Sequence, residues 1–126
     1  VAAVYPASSY LSPASSAGVV IFCNLVQYPI KFVNKYWSGD PTVGINEGDV
    51  FIVNDARYGQ AHNTDQSMMM PVFHEGRIIA LAGATVHEVE NGAIEPGGMP
   101  SLAEQMWYAW LKMTPVKVVH NYKLPR

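Results

Sequence analysis

The chain has 126 residues, with 8 Lys+Arg against 10 Asp+Glu and a formal net charge of −2. That length holds one modest domain, and the lack of a basic surplus argues against nucleic acid as a partner. Only 14% of the residues are charged, against about 25% in a typical globular domain. A small domain has a high surface-to-volume ratio, so this one reads as short of polar cover and as part of a larger subunit.

No Asp, Glu, Lys or Arg occurs before Lys31. The longest apolar stretch in that region, residues 17–23, falls far short of the roughly 18 to 20 residues of a membrane span. It has no basic leader and does not read as a signal peptide. Together with a start at Val1, these features read as a segment of a longer polypeptide. Residues 1–29 are expected to be a charge-free irregular segment packed on other protein, and residues 30–126 to be the working region. Within the first part, residues 19–26 are β-compatible. Cys23 stands alone, which rules out an internal disulfide or a Cys-based zinc site and fits a reducing cytoplasm.

Pro29 can open a helix, with Ile30, Val33 and Trp37 at i, i+3 and i+7, ended by Gly39 and Pro41. The turn Asn46-Glu47-Gly48-Asp49 leads into a short apolar run, residues 50–53, expected as a buried strand. Residues 54–66 are expected as a polar loop. Residues 71–73 and 77–86 are expected as strands around a His74-Glu75-Gly76 turn, and residues 88–100 as a second polar loop. Residues 101–113 carry the strongest helix signal. Ser101 and Glu104 have capping-box spacing, Leu102, Met106, Trp107, Trp110 and Leu111 form an apolar face, and Pro115 follows. Residues 116–119 are the last expected strand. The fold class is α+β, mainly antiparallel strands with two short helices.

Loops carried by a rigid scaffold are where sites usually sit. The first loop offers His62-x-x-Asp65, and His87 ends a strand that can return beside it. Two imidazoles and a carboxylate can hold a divalent transition metal on one face. By itself the pattern is read more readily as a hydrogen-bonded structural pair. Glu88 and Glu90 flank His87, and either could orient an imidazole or be a solvated loop carboxylate. Asn54-Asp55 could orient the loop or cap its turn. His74 is expected at the surface, and Met68-Met69-Met70 as adaptable apolar packing. Gly97-Gly98 reads as a tight turn, lacking the Lys and spacing of a phosphate loop.

The order of motifs carries a resemblance. Gly48-Asp49 through Asn54-Asp55 is similar to the G-D-x-x-x-x-N-D stretch of hydantoinase B/oxoprolinase-type subunits. Residues 59–66, Gly-Gln-Ala-His-Asn-Thr-Asp-Gln, are similar to their G-G-x-H-x-x-D loop. Residues 71–73, Gly76, His87 and residues 96–100 follow in the same order. His-Asn-x-Asp-Gln, Met-Pro-Val-Phe, Gly-Ala-Ile-Glu-Pro-Gly-Gly-Met-Pro and Pro-Val-Lys-Val resemble the α subunits of acetone and acetophenone carboxylases. Gln60 in place of the second Gly, Ala56 in place of a Pro, and the stretch from His87 to Gly92 depart from the hydantoinase branch.

The resemblance implies that His62, Asp65 and His87 are metal ligands; it leaves the role of Glu90 open, and its place beside His87 is what offers it as an orienting carboxylate. The implied metal is Mn2+, with Zn2+ or Fe2+ as alternatives. The implied activity is an ATP-dependent carboxylation of a small ketone with bicarbonate to a β-keto acid, the metal stabilising an enolate. ATP would be used by a hydantoinase A-like partner subunit. Other carboxylase subunits and the remainder of an α subunit would complete a cytoplasmic complex, with no nucleic acid or membrane partner. Rival readings are an ATP-dependent hydantoinase or 5-oxoprolinase, a non-haem iron oxygenase, and a non-catalytic structural subunit.

Overall fold

The computed structural model describes residues 1–8, 14–15, 20–89, 92–97, 100–108 and 111–124. The elements are β1 (Ala2–Pro6), β2 (Ala14–Ser15), α1 (Val20–Leu25), α2 (Gln27–Phe32), β3 (Val50–Val53), β4 (Asp65–His74), β5 (Arg77–His87) and β6 (Val116–Val119). A π-helical turn, Val33–Trp37, prolongs α2, and 3-10 turns cover Ala56–Tyr58 and Met106–Tyr108. All strand pairs are antiparallel, in one sheet of order β2-β1-β5-β4-β3-β6. The architecture is the expected α+β class with antiparallel strands; α1 and α2 run on from each other, and only α2 lies where a helix was expected.

The β4–β5 hairpin is the spine of the sheet, in register from Asp65↔His87 to His74↔Arg77. Its turn is Glu75-Gly76, with φ of 48° and 74°. Two successive positive φ values are what a two-residue type I′ hairpin turn requires, because its twist matches that of the strands. Side chains alternate across the sheet: Ser67, Met69, Leu81, Gly83 and Thr85 are buried, whereas Met68, Ala82, Ala84 and Val86 are exposed.

The helices cover the buried face. Val26, Ile30 and Val33, spaced at i, i+4 and i+7, pack with Tyr5, Phe51, Val53, Met69 and Leu81 into one core. At Gly83 the contact admits no side chain, since a Cβ would stand 2.8 Å from Val26 Cγ1 and 3.0 Å from Tyr5 Cε2. Pro29 has no N–H to give the Leu25 carbonyl, so the helical ladder breaks between α1 and α2. Gly59, at φ 100°, fits into that corner, where a Cβ would lie 2.6 Å from Tyr28 Cβ and 2.9 Å from the Leu25 oxygen. Tyr5 Oη donates to the Cys23 carbonyl at 2.7 Å. Burial, with the neighbouring Cys23, pushes the Tyr5 phenol up to about 12.

Several elements differ from the sequence expectation. Residues 2–6, within the stretch expected to be irregular, form β1 against β5. Residues 20–25 are helical and not extended, because Val26 extends the same buried stripe as Ile30 and Val33. The expected helix over 101–113 is not formed: the described part holds only the 3-10 turn Met106–Tyr108. Ser101 Oγ and the Leu102 amide donate to Glu95 Oε2, at 3.4 and 3.2 Å, so the capping box with Glu104 is replaced by a loop contact. Among the described residues of the apolar face that motivated the helix, Leu102, Trp107 and Leu111 are exposed. Asn54 takes the end of that segment instead. Its Nδ2 donates to the Leu111 carbonyl at 2.9 Å, and its Oδ1 accepts from the Met113 amide at 2.6 Å. Trp110 lies outside the described residues. Among the described residues, no helix is long and apolar enough to cross a membrane.

Candidate metal centre

Asp65 opens β4 and His87 closes β5, and cross-strand register makes them partners. Two residues 22 apart in sequence are thereby brought to 3.1 Å, His87 Nδ1 to Asp65 Oδ1. His62 arrives from the turn before β4. The Asp65 amide donates to the His62 carbonyl at 3.1 Å, and the His62 amide donates to Asp65 Oδ2 at 3.3 Å. His62 Nδ1 lies 3.4 Å from the same Oδ2. The two imidazoles meet edge to face, their centroids 4.8 Å apart. Asp65 is fully buried, while the His62 and His87 side chains are 32% and 49% exposed. The carboxylate is therefore the floor of the site and the imidazoles its rim. One donor atom from each of His62, Asp65 and His87 lies within 4.8 Å of the others.

Sequence reasoning missed a fourth polar group here. Thr64 is buried, its Oγ1 is hydrogen-bonded to His62 Nδ1, and it lies 3.4 Å from His87 Nδ1. The Glu88 amide fixes the Thr64 carbonyl at 2.9 Å. A hydroxyl inside a loop motif leaves no signal of charge or periodicity; its place between two candidate ligands was the only cue. One layer deeper, Ser67 Oγ donates to Gln60 Oε1 at 2.8 Å and lies 2.6 Å from its register partner Thr85. Gln60 Nε2 is buried and has no hydrogen-bond partner among the described residues. Below this polar layer the apolar core begins at Met69.

Asn54 and Asp55 act beside the site rather than in it. Asp55 caps the 3-10 turn, accepting from the Arg57 amide at 2.9 Å, and pairs with the Arg57 guanidinium at 2.6 Å. That guanidinium holds the Asp55 carboxyl below its usual range. Glu90 lies outside the described residues, as do Gly98 and Met99. His74 is exposed, 4.0 Å from Glu75. The Met run lies within β4, with Met69 in the core and Met68 on the outer face.

Asp49, in the turn before β3, organises a second polar knot. It is fully buried and accepts from Lys117 Nζ at 2.7 Å and from the Asn46 and Asn121 amides at 2.8 and 3.1 Å. His120 Nδ1 stands 3.3 Å away. Burial opposes its ionisation, yet Lys117 and the two amides together hold its pKa below the usual value.

The family model of hydantoinase B/oxoprolinase matches residues 2–126. The chain belongs to this family. As a hydantoinase B/oxoprolinase family member it is 37% identical over 109 residues to the acetophenone carboxylase delta subunit of Aromatoleum aromaticum, covering 86% of this chain and 15% of that one. It is 30% identical over 113 residues to the acetone carboxylase alpha subunit of Xanthobacter autotrophicus, covering 89% and 14%. The nucleotide-free structure of acetone carboxylase matches with a TM-score of 0.89 at 29% identity, over 98% of this chain and 16% of that one. The chain thus spans only a small part of the length of the relatives it matches. In this family member, two imidazoles and a carboxylate on one open face are a donor set suited to a divalent cation.

Proposed function

We propose that the chain forms the metal-holding part of an ATP-dependent carboxylase acting on a small ketone and bicarbonate, the product being a β-keto acid. The observation that carries the reading is the convergence of His62, Asp65 and His87 at one end of the β4–β5 hairpin. Likeness to acetophenone and acetone carboxylase subunits supports the substrate class. A divalent cation, Mn2+ in the first instance and Zn2+ or Fe2+ as alternatives, would be held by these three side chains. When bound it supplies Lewis acidity that stabilises negative charge on an enolate oxygen.

The residues of the chain do the rest of the local work. Asp65 provides the negative charge, and its burial at a strand start fixes the carboxylate's direction. His62 and His87 are both partly exposed, so the open side of the site is where a ketone would approach. ATP would be spent on a hydantoinase A-like partner, and further subunits would complete a cytoplasmic assembly. The family also includes oxoprolinases, so opening of a cyclic amide is the second reading. Assay of the purified native complex separates the two. Bicarbonate-dependent ATP consumption with acetone or acetophenone is expected; ATP consumption driven by 5-oxoproline or a hydantoin, without bicarbonate, would transfer the assignment to the amidohydrolase branch.

A further inference from the structure

We propose that the Thr64 hydroxyl is a fourth donor atom of the metal centre; the inference rests on the triad reading above. Donors about 2.1 Å from a common cation lie roughly 3.0 to 3.5 Å from their neighbours in tetrahedral or octahedral arrangements. The separations around Asp65 have this size: 3.1 Å from His87 Nδ1 to Oδ1 and 3.4 Å from His62 Nδ1 to Oδ2. Thr64 Oγ1 lies 3.4 Å from His87 Nδ1 and is hydrogen-bonded to His62 Nδ1. It therefore stands among the atoms of the proposed triad, and its separation from His87 Nδ1 has the size expected of two donors to one cation.

Thr64 is held there from two directions. Its carbonyl accepts from the Glu88 amide just beyond β5, and the turn from His62 to Asp65 closes around it through the Asp65 amide. It is 1% exposed, so its hydroxyl does not spend its hydrogen-bonding capacity on bulk solvent. A hydroxyl has one proton to give and lone pairs to share, so it serves the imidazoles when no cation is bound and offers oxygen when one is. With Asp65 it makes the donor set two nitrogens and two oxygens. That shift toward hard oxygen ligation suits Mn2+ better than a nitrogen-rich set would.

The test uses the intact native protein, stripped of metal and titrated with Mn2+ while the electron paramagnetic resonance signal of free Mn2+ is followed. Thr64→Val is expected to weaken Mn2+ binding tenfold or more, the range seen when a group around a metal site is lost, and Thr64→Ser to restore it to within a few-fold. Thr64→Cys loaded with Co2+ is expected to show a thiolate-to-cobalt charge-transfer band that the wild-type protein, whose Cys23 serves as control, lacks. This second variant keeps the proposal testable if Thr64→Val does not fold. Unchanged Mn2+ affinity in Thr64→Val, or a Co2+-loaded Thr64→Cys protein without the band, overturns the assignment of Thr64 while leaving the triad in place. Failure of the wild-type protein to bind any divalent cation overturns both.

Discussion

Asp49 shows how a single buried charge can hold distant chain segments together. Its carboxylate ties the turn before β3 to Lys117 on β6 and to the amide of Asn121. Removing one partner of a buried pair leaves the other uncompensated and costs about 3 kcal/mol or more. Asp49→Ala is therefore expected to lower the unfolding free energy by about that much, read by urea titration. The pH dependence has a definite sign. Because the native pKa is below the ordinary 3.8, the contribution of Asp49 is complete above that value. It declines as pH falls below 3.8, since the unfolded chain then takes up the proton more readily than the native one. Asp49→Asn should flatten the loss of stability in that acid window, and a curve parallel to wild type would contradict the pairing. Of these residues, the Gly48-Asp49 motif was legible in the sequence, but its partners were not. Lys117 and Asn121 lie about 70 residues away, and only the β3–β6 pairing brings them close.

At the scale of elements, the β4–β5 hairpin was the most legible feature and the one that matters most. Gly76 and the apolar run of residues 77–86 announce a turn and a strand, and from there register alone carries His87 to Asp65. The strand start was hidden because three consecutive Met residues erase the apolar–polar alternation that would have marked it. The helix expected over 101–113 was misread for the opposite reason. Its apolar spacing is real, but an amphipathic helix is stabilised mainly by what its apolar face packs on, and Asn54 secures that end of the chain as a loop. The turn itself offers a test. Glu75 adopts φ 48°, a conformation that costs most side chains energy and that Asn tolerates better. Glu75→Asn should stabilise the protein by about 0.5 kcal/mol, seen as a small rise in Tm, and a fall in Tm would contradict the type I′ assignment.

For the whole molecule, the informative feature is the sheet face turned away from the helices. An antiparallel sheet with one solvated face alternates apolar and polar side chains. Here the outward positions include Val4, Met68, Val72 and Val86, all markedly exposed, and an apolar depression lies among Ala2, Val4, Val50, Met68, Met70 and Ala84. This is where the low charge content of the sequence becomes visible, as uncovered apolar surface larger than scattered exposure would give. The 126-residue chain on its own is expected to self-associate in size-exclusion chromatography with light scattering. Met68→Lys combined with Val86→Lys should shift it toward monomer; a wild-type chain that is monomeric at high concentration would contradict the account of this face.

The central claim is that one cation is held jointly by His62, Asp65 and His87. Metal analysis of the native protein by inductively coupled plasma mass spectrometry, beside His62→Ala, Asp65→Asn and His87→Ala variants that retain the wild-type circular dichroism spectrum, tests it directly. The account predicts close to one divalent metal per chain in the wild-type protein and a large loss in each folded variant. Full metal content in all three variants, or none in the wild type, would contradict it.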